Sequence, residues 1–152
     1  MAAPGTVTLT QQARQWILDG TFDFDTMTVK AALLTSGWTP NMATNQLWAD
    51  ISANEVSSTN TGYTTGGNTL TGTGVSQTSG VGKFIGTIPS WTAGSAGLTA
   101  RTCALYALGT LNGHVNPLIG YFLLDSAPAD VVTATGNTLQ INQPAAGWFT
   151  LT

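Results

Sequence analysis

Charged side chains are scarce in this sequence of 152 residues. Four are basic and seven are acidic, which gives a net charge of −3, and together they make up 7% of the chain, whereas ordinary globular domains carry about 25%. Because the few basic residues are scattered, we expect no phosphate-tracking surface and no nucleic-acid partner. Disordered chains combine low hydrophobicity with high charge. This chain has neither feature, so we expect it to fold.

Cysteine is almost absent, and long apolar runs are missing. The single cysteine, Cys103, excludes an intrachain disulfide and a multi-cysteine metal site, and its apolar neighbours predict an inert, buried thiol. No run approaches the roughly 20 apolar residues of a membrane span. The first ten residues lack the basic and apolar regions of a signal peptide. We therefore expect synthesis in a cytoplasm, without export by such a signal, and no membrane partner.

One segment near the beginning of the chain has helical periodicity. Four apolar residues recur at the spacing of one helix face: Leu9, Ala13, Trp16 and Ile17. Thr8 or Thr10 is placed to cap the first turn, and Gly20 is placed to end the last one. The pattern predicts a short N-terminal helix over residues 9–19.

Everything after this helix has the pattern of β strands. Apolar or alternating runs bounded by turn residues occur at 28–36, 68–77, 81–91, 99–108, 117–125, 137–143 and 147–152. The runs 99–108 and 117–125 are apolar on both faces, which predicts central strands, and Asn112-Gly113 between them predicts a hairpin turn. About seven strands without intervening helices predict a mainly β fold, an antiparallel β-sandwich or jelly-roll-like domain over residues 1–152.

Residues that could carry catalysis or hold a metal do not form a recognisable constellation. His114 is the only histidine, and we interpret it as an exposed loop residue, because a triad or a metal centre needs further convergent groups. Asp23 and Asp25 have the D-x-D spacing that binds divalent cations in some transferases. No third carboxylate follows in register, so a turn before the first long strand is the favoured interpretation. We expect no catalytic residues, no cofactor and no metal.

Five tryptophans could serve several purposes: Trp16, Trp38, Trp48, Trp91 and Trp148. Aromatic faces suit sugar rings, but core packing and interface anchoring are the usual roles of such rings. We predict that Trp38, Trp48 and Trp91 belong to an interface. A carbohydrate-binding module stays open as an alternative.

Four segments together resemble a known family. They are LLTSGWTPNMATNQLWADISANEV (33–56), GYTTGGNTLTG (62–72), PLIGYFLLD (117–125) and NTLQINQPAAGWFTLT (137–152). Their order and spacing are similar to those of small virion structural proteins of tailed bacteriophages, and the resemblance extends from about Gln12 to the C-terminus. It implies a capsid decoration (cement) protein that binds and stabilises the outer head lattice, or otherwise a tail or neck component.

The resemblance also implies partners and a location. The partners would be further copies of the chain, in a homotrimer, and the major capsid protein, and the protein would lie on the capsid surface of the virion after synthesis in the bacterial cytoplasm. The low charge agrees with this, because a protein packed into an assembly needs less charge for solubility. A polysaccharide hydrolase is a weaker alternative, since it needs two carboxylates about 5–10 Å apart in a cleft.

The only glutamate, Glu55, precedes a run of small polar residues and glycines, NEVSSTNTGYTTGG (54–67). A general base would need a partner acid or histidine, and none is close in sequence. We predict that Glu55 anchors this loop by accepting hydrogen bonds from backbone N–H groups, with Tyr63 packed beneath it. Charge-assisted bonds are stronger than neutral ones, which suits a segment whose glycines are costly to order.

Overall fold

The computed structural model describes residues 4–152, and β strands dominate this part of the chain. One α helix, α1, spans Gln11–Leu18, and two short 3-10 helices span Trp48–Asp50 and Ser52–Asn54. The strands are β1 Thr8–Leu9, β2 Val29–Leu34, β3 Asn68–Thr69, β4 Thr71–Thr78, β5 Val81–Thr87, β6 Trp91–Thr92, β7 Leu98–Ala100, β8 Thr102–Ala107, β9 Thr110–Leu111, β10 His114–Val115, β11 Leu118–Leu123, β12 Val131–Thr133, β13 Thr138–Leu139 and β14 Phe149–Leu151. The predicted mainly β, antiparallel fold with one short helix is confirmed.

Two sheets carry most of the structure. The larger has the strand order β1-β11-β8-β2-β3, and the smaller has the order β14-β5-β4. Three two-stranded ribbons, β9–β10, β7–β12 and β6–β13, complete the described part, and every pairing is antiparallel. Strand β8 lies at the centre of the larger sheet with β11 beside it, as their apolar sequences predicted.

The larger sheet is buried on both faces. Successive side chains of a strand point to opposite faces, and in β8 Cys103 and Leu105 join the main core while Ala104 and Tyr106 join a second, smaller cluster. The main core includes Phe84 of the smaller sheet. Residues of the 38–51 segment cover the other face, where Trp38 and Ile51 pack. Burial on both faces explains why β2 and β8 consist largely of apolar residues.

The helix is shorter than its apolar pattern predicted. Residues Thr8–Leu9 form β1 and pair with Tyr121 and Gly120 of β11. The buried Thr10 then caps the helix, because its side chain accepts a hydrogen bond of 2.9 Å from the amide of Ala13. The prediction of a helix over 9–19 is therefore wrong by two residues at its beginning and one at its end, while Thr10 is confirmed as one of its two possible N-caps.

Turn and strand positions show where sequence patterns were informative. Asn112 and Gly113 have φ values of +47° and +83°, and they connect β9 to β10 as the Asn-Gly signal predicted. The run 99–108 is not one strand, because β7 pairs with β12 while β8 pairs with β2 and β11. Between the two strands, Arg101 donates its amide to Leu34 and accepts from the amide of Leu124.

Candidate functional site

Glu55 lies directly after the second 3-10 helix, where the chain passes beside β2. It forms an isolated antiparallel bridge with Leu34, and the amide of Val56 donates to the carbonyl of Leu33 at 3.0 Å. These backbone contacts hold a half-buried carboxylate at the root of the glycine-rich loop, which we define as residues 56–67.

The carboxylate reaches back into this loop. Its Oε1 accepts a hydrogen bond of 2.7 Å from the hydroxyl of Tyr63 and one of 2.5 Å from the amide of Gly66. The Tyr106 hydroxyl donates to the carbonyl of Gly66 at 2.8 Å, so both backbone groups of this glycine are bonded to side chains. The role of loop anchor that we predicted for Glu55 and Tyr63 rests on these contacts and remains to be tested by substitution.

The two tyrosines of this cluster stay protonated at ordinary pH. Burial raises the pKa of Tyr63 far above its usual value, and the hydrogen bond to the Glu55 carboxylate raises it further. Burial, followed by the negative charge of Glu55, raises the pKa of Tyr106 to about 12. Both phenols therefore act as neutral hydrogen-bond donors within this cluster.

Two of the three tryptophans that we predicted at an interface lie in the interior of the chain. Trp91 is 2% exposed within the main core, and Trp38 is 7% exposed within the second cluster. The interface prediction is wrong for these two residues, because their rings already pack inside the chain. Trp48 is partly exposed and stacks on Tyr106 at 4.8 Å between ring centroids, with an interplanar angle of 14°.

The burial of the tryptophan rings also limits the aromatic surface on which a sugar ring could stack. Trp16 and Trp148 are 2% and 0% exposed, and the indole N–H of Trp148 donates to the carbonyl of Gly86 at 2.7 Å. Four of the five tryptophan rings are thus packed in the interior, and Trp48 alone among them keeps a face partly open to solvent.

His114 and the aspartates of the D-x-D motif have structural contacts. The His114 ring is half-buried and packs on Trp16 with 4.8 Å between centroids, so the prediction of an exposed loop residue is wrong. Asp23 accepts from the amide of Asp25 and from the hydroxyl of Thr26. The Thr26 bond, followed by the Asp25 bond, lowers the pKa of Asp23. Asp25 accepts from the amide of Val75 at 3.2 Å.

Among residues 4–152, no group of three or more His, Cys, Asp or Glu side chains could hold a metal ion. None of the helices described for this part of the chain is long and apolar enough to cross a membrane.

Two surface depressions were not predicted from the sequence. The first, which we call the acidic cavity, has a volume of about 200 Å³ and is lined by Leu124, Asp125, Asp130 and Leu139, among others. Arg101 forms an ion pair with Asp130 at its edge, with 2.8 Å between Nε and Oδ1. These residues come together through pairings between distant segments, and neither charge pattern nor spacing signals them in the sequence.

The second depression, which we call the sheet groove, lies on the smaller sheet and is almost entirely apolar. Val75, Phe84 and Phe149 are cross-strand neighbours on β4, β5 and β14, and therefore share one side of the sheet. Phe84 and Phe149 are buried, while Val75 is 54% exposed and Leu151 is 49% exposed. The groove has a volume of about 60 Å³. The side of the smaller sheet that packs on the core therefore also carries apolar side chains that the core does not cover.

Comparison with known proteins gives no relative from which a function could be inferred. No family model matches the chain, and neither a curated protein nor a solved structure matches it. The resemblance to bacteriophage virion proteins therefore remains a prediction from sequence.

Proposed function

We propose that this protein is a non-enzymatic structural protein of a bacteriophage virion, a capsid decoration (cement) protein that binds and stabilises the outer head lattice. The sheet groove is the observation that carries the proposal. It leaves Val75 and Leu151 about half exposed next to the core on a chain with few charges, and we propose that another protein covers them.

The groove suits a contact that does not depend on charge. Gly82 of β5 is paired with Leu151 of β14 and with Gln77 of β4, so no side chain of β5 stands beside the half-exposed Leu151. Within residues 4–152, Lys83 is the one ionisable residue that lines the groove. A net charge of −3 therefore does little to oppose the approach of another copy there. We propose that copies of the chain form a homotrimer in which this groove is covered.

The open edge of the smaller sheet is partly protected. Strand β4 has eight residues and no strand on its outer side among residues 4–152, and such edges invite uncontrolled pairing. The carboxylate of Asp25 accepts from the amide of Val75 on this strand, which places a negative charge beside the edge. We therefore propose that side chains in the groove, rather than an added strand, make the contact.

The remaining observations support a structural role rather than an enzymatic one. Glu55 accepts bonds from Tyr63 and Gly66, and Asp23 accepts bonds within its own turn. The acidic cavity holds two aspartates, and one of them, Asp130, is engaged by Arg101.

The copy number in purified particles tests the proposal. Quantitative mass spectrometry should find roughly hundreds of copies in each particle, because a closed icosahedral lattice repeats its binding site many times. About six or twelve copies would instead assign the protein to the tail or neck, since those structures have cyclic symmetry. Absence from the particles would overturn the proposal, and a glycan array would then test the carbohydrate-binding alternative.

A further inference from the structure

The acidic cavity combines an apolar base with negative charge. Leu124, Leu139 and Ile141 line it and are 5%, 6% and 4% exposed, so their side chains belong to the core and offer only a small apolar surface at the bottom. Asp125 and Asp130 also line it, and both are more exposed than the three apolar residues. A long side chain that is apolar along its stem and positively charged at its tip matches this arrangement.

The two aspartates differ in how their charges are compensated. Asp130 is paired with the Arg101 guanidinium, and Arg101 is not among the residues that line the cavity. Asp125 belongs to no ion pair within residues 4–152. Its Oδ1 accepts from the amide of Ala127 at 3.0 Å, which fixes the carboxylate in a tight turn. Among the described residues, the cavity therefore has a net negative charge, located at Asp125.

The volume limits what can enter. About 200 Å³ is below the roughly 300–1,000 Å³ of pockets for small-molecule ligands, which favours a group smaller than a typical ligand. Protein interfaces take most of their binding energy from a few side chains, arginine among the commonest, that fill pockets of the partner.

We infer that the acidic cavity binds a single lysine or arginine side chain presented by a partner protein. The aliphatic stem packs on Leu124, Leu139 and Ile141, and the cationic group forms a charge-assisted hydrogen bond with Asp125. The inference rests on the proposed function only for the identity of the partner, which would be a capsid subunit with a basic residue at the contact. The chemistry of the cavity stands independently of that assignment.

The test compares two capped amino acids that share an aliphatic stem. Nα-acetyl-lysine methylamide carries the side-chain ammonium group, and Nα-acetyl-norleucine methylamide lacks it. Each is titrated into the 152-residue protein while the backbone amide resonances of Leu124, Leu139 and Ile141 are followed by NMR. We expect saturable shifts with the lysine compound and about three- to tenfold weaker binding of the norleucine compound, the range for a charge-assisted bond at a partly exposed site.

A substitution assigns the effect to Asp125. Asp125→Asn removes the charge but keeps an oxygen that can accept from the Ala127 amide, so the turn should persist. It should weaken binding of the lysine compound by the same three- to tenfold and leave binding of the norleucine compound unchanged. Asp19→Asn is the matched control, because Asp19 accepts from the Thr21 amide in the same kind of turn and does not line the cavity.

Two results would overturn the inference. Equal binding of the lysine and norleucine compounds to the unchanged protein would remove the role of charge, and this comparison needs no variant. An equal effect of Asp125→Asn and Asp19→Asn would show attraction to the net charge of the chain rather than binding in the cavity. Either result would leave the copy number in particles unaffected, so failure of this inference is distinguishable from failure of the proposed function.

Discussion

The Glu55 carboxylate and the Tyr63 hydroxyl are joined by a hydrogen bond of 2.7 Å. The same hydroxyl accepts from the backbone amide of Leu33 in β2 at 3.2 Å, and the same carboxylate oxygen accepts from the amide of Gly66. The pair therefore connects the glycine-rich loop to a strand of the larger sheet. Tyr63 is 3% exposed, so solvent cannot easily replace these bonds when one partner is removed.

The first prediction concerns Glu55→Ala. Loss of the carboxylate leaves the Tyr63 hydroxyl and the Gly66 amide without their acceptor, so we expect the free energy of unfolding to fall by about 1–3 kcal/mol. Amide hydrogen exchange should accelerate in residues 56–67, while strands β8 and β11 stay protected. Glu55→Gln, which keeps an acceptor oxygen but loses the charge, should have a smaller effect. Unchanged exchange in the loop of the alanine variant would disprove its anchoring by Glu55.

The second prediction separates steric contact from backbone strain at two glycines. Gly67 has φ of +73°, and a Cβ built on it would lie 2.0 Å from the carbonyl oxygen of Ala31. Gly136 has a similar φ of +79° but no atom within 4 Å of such a Cβ. Gly136→Ala should therefore cost about 1–2 kcal/mol for the left-handed conformation alone. Gly67→Ala should cost more than about 3 kcal/mol, because the backbone of β2 must also move.

Urea unfolding of the two glycine variants measures this difference. Gly67 begins the approach of the loop to β3, which pairs with Lys30 and Ala31 of β2. The larger loss at Gly67 should therefore be accompanied by faster amide exchange in β3. Similar losses for both variants would show that the loop does not pack as closely on β2 as the structure has it.

The third prediction concerns alkaline pH. Burial and the charge of Glu55 raise the pKa of Tyr106 to about 12, and the pKa of Tyr63 is raised further, whereas tyrosines of an unfolded chain ionise near pH 10. Above that pH the unfolded chain loses protons that the folded chain retains, so stability falls as pH rises. The contribution of Tyr106 is complete below about pH 10 and is lost between about pH 10 and 12.

The measurement is the free energy of unfolding as a function of pH. Burial also raises the pKa of the Cys103 thiol, whereas a cysteine of the unfolded chain ionises near pH 8.5. Cys103 therefore also makes stability fall as pH rises, and its effect begins at a lower pH than that of the tyrosines. Cys103→Ala is therefore the appropriate background. In it, Tyr106→Phe should reduce the slope between about pH 10 and 12. Glu55→Ala should reduce it too, because the carboxylate contributes to the shift. A slope unaffected by Tyr106→Phe would contradict the prediction.

Elements with a strong local signal were predictable from the sequence. Strands β2, β8 and β11 form apolar runs because the larger sheet is covered on both faces, and the Asn112-Gly113 turn has the conformation that this dipeptide favours. The break at Arg101 was not predictable, since both sides of it are apolar and only the choice of pairing partners separates them. Strand β12, Val131–Thr133, is too short to show a period and pairs with β7, about 30 residues away.

The contacts of the candidate site divide in the same way. Glu55 lies 8 residues from Tyr63 and 11 from Gly66, so local sequence was enough to suggest a contact between the only glutamate and the loop that follows it. Asp25 and Val75 are 50 residues apart, and their bond depends on the folded sheets. A tryptophan in a sequence can belong to a core or to a surface. The interface prediction for Trp91 failed because its pairing with Leu139, which is not evident from the sequence, determines that its ring faces the core.

The last prediction concerns self-association through the sheet groove. Exposed ion pairs are screened near 0.1 M salt, whereas apolar contacts are not, and the groove is apolar apart from Lys83. We expect the protein to be a closed small oligomer, a trimer by preference, with the same mass by light scattering in low salt and in about 0.5 M NaCl.

Val75→Lys places a charge in the groove and should give a folded monomer. Val132→Lys is the matched control, because Val132 is 71% exposed and does not line the groove, so it should remain oligomeric. A monomer at micromolar concentration for the unchanged chain in both salts would exclude the trimer, and an oligomer that survives Val75→Lys would place the contact on another surface.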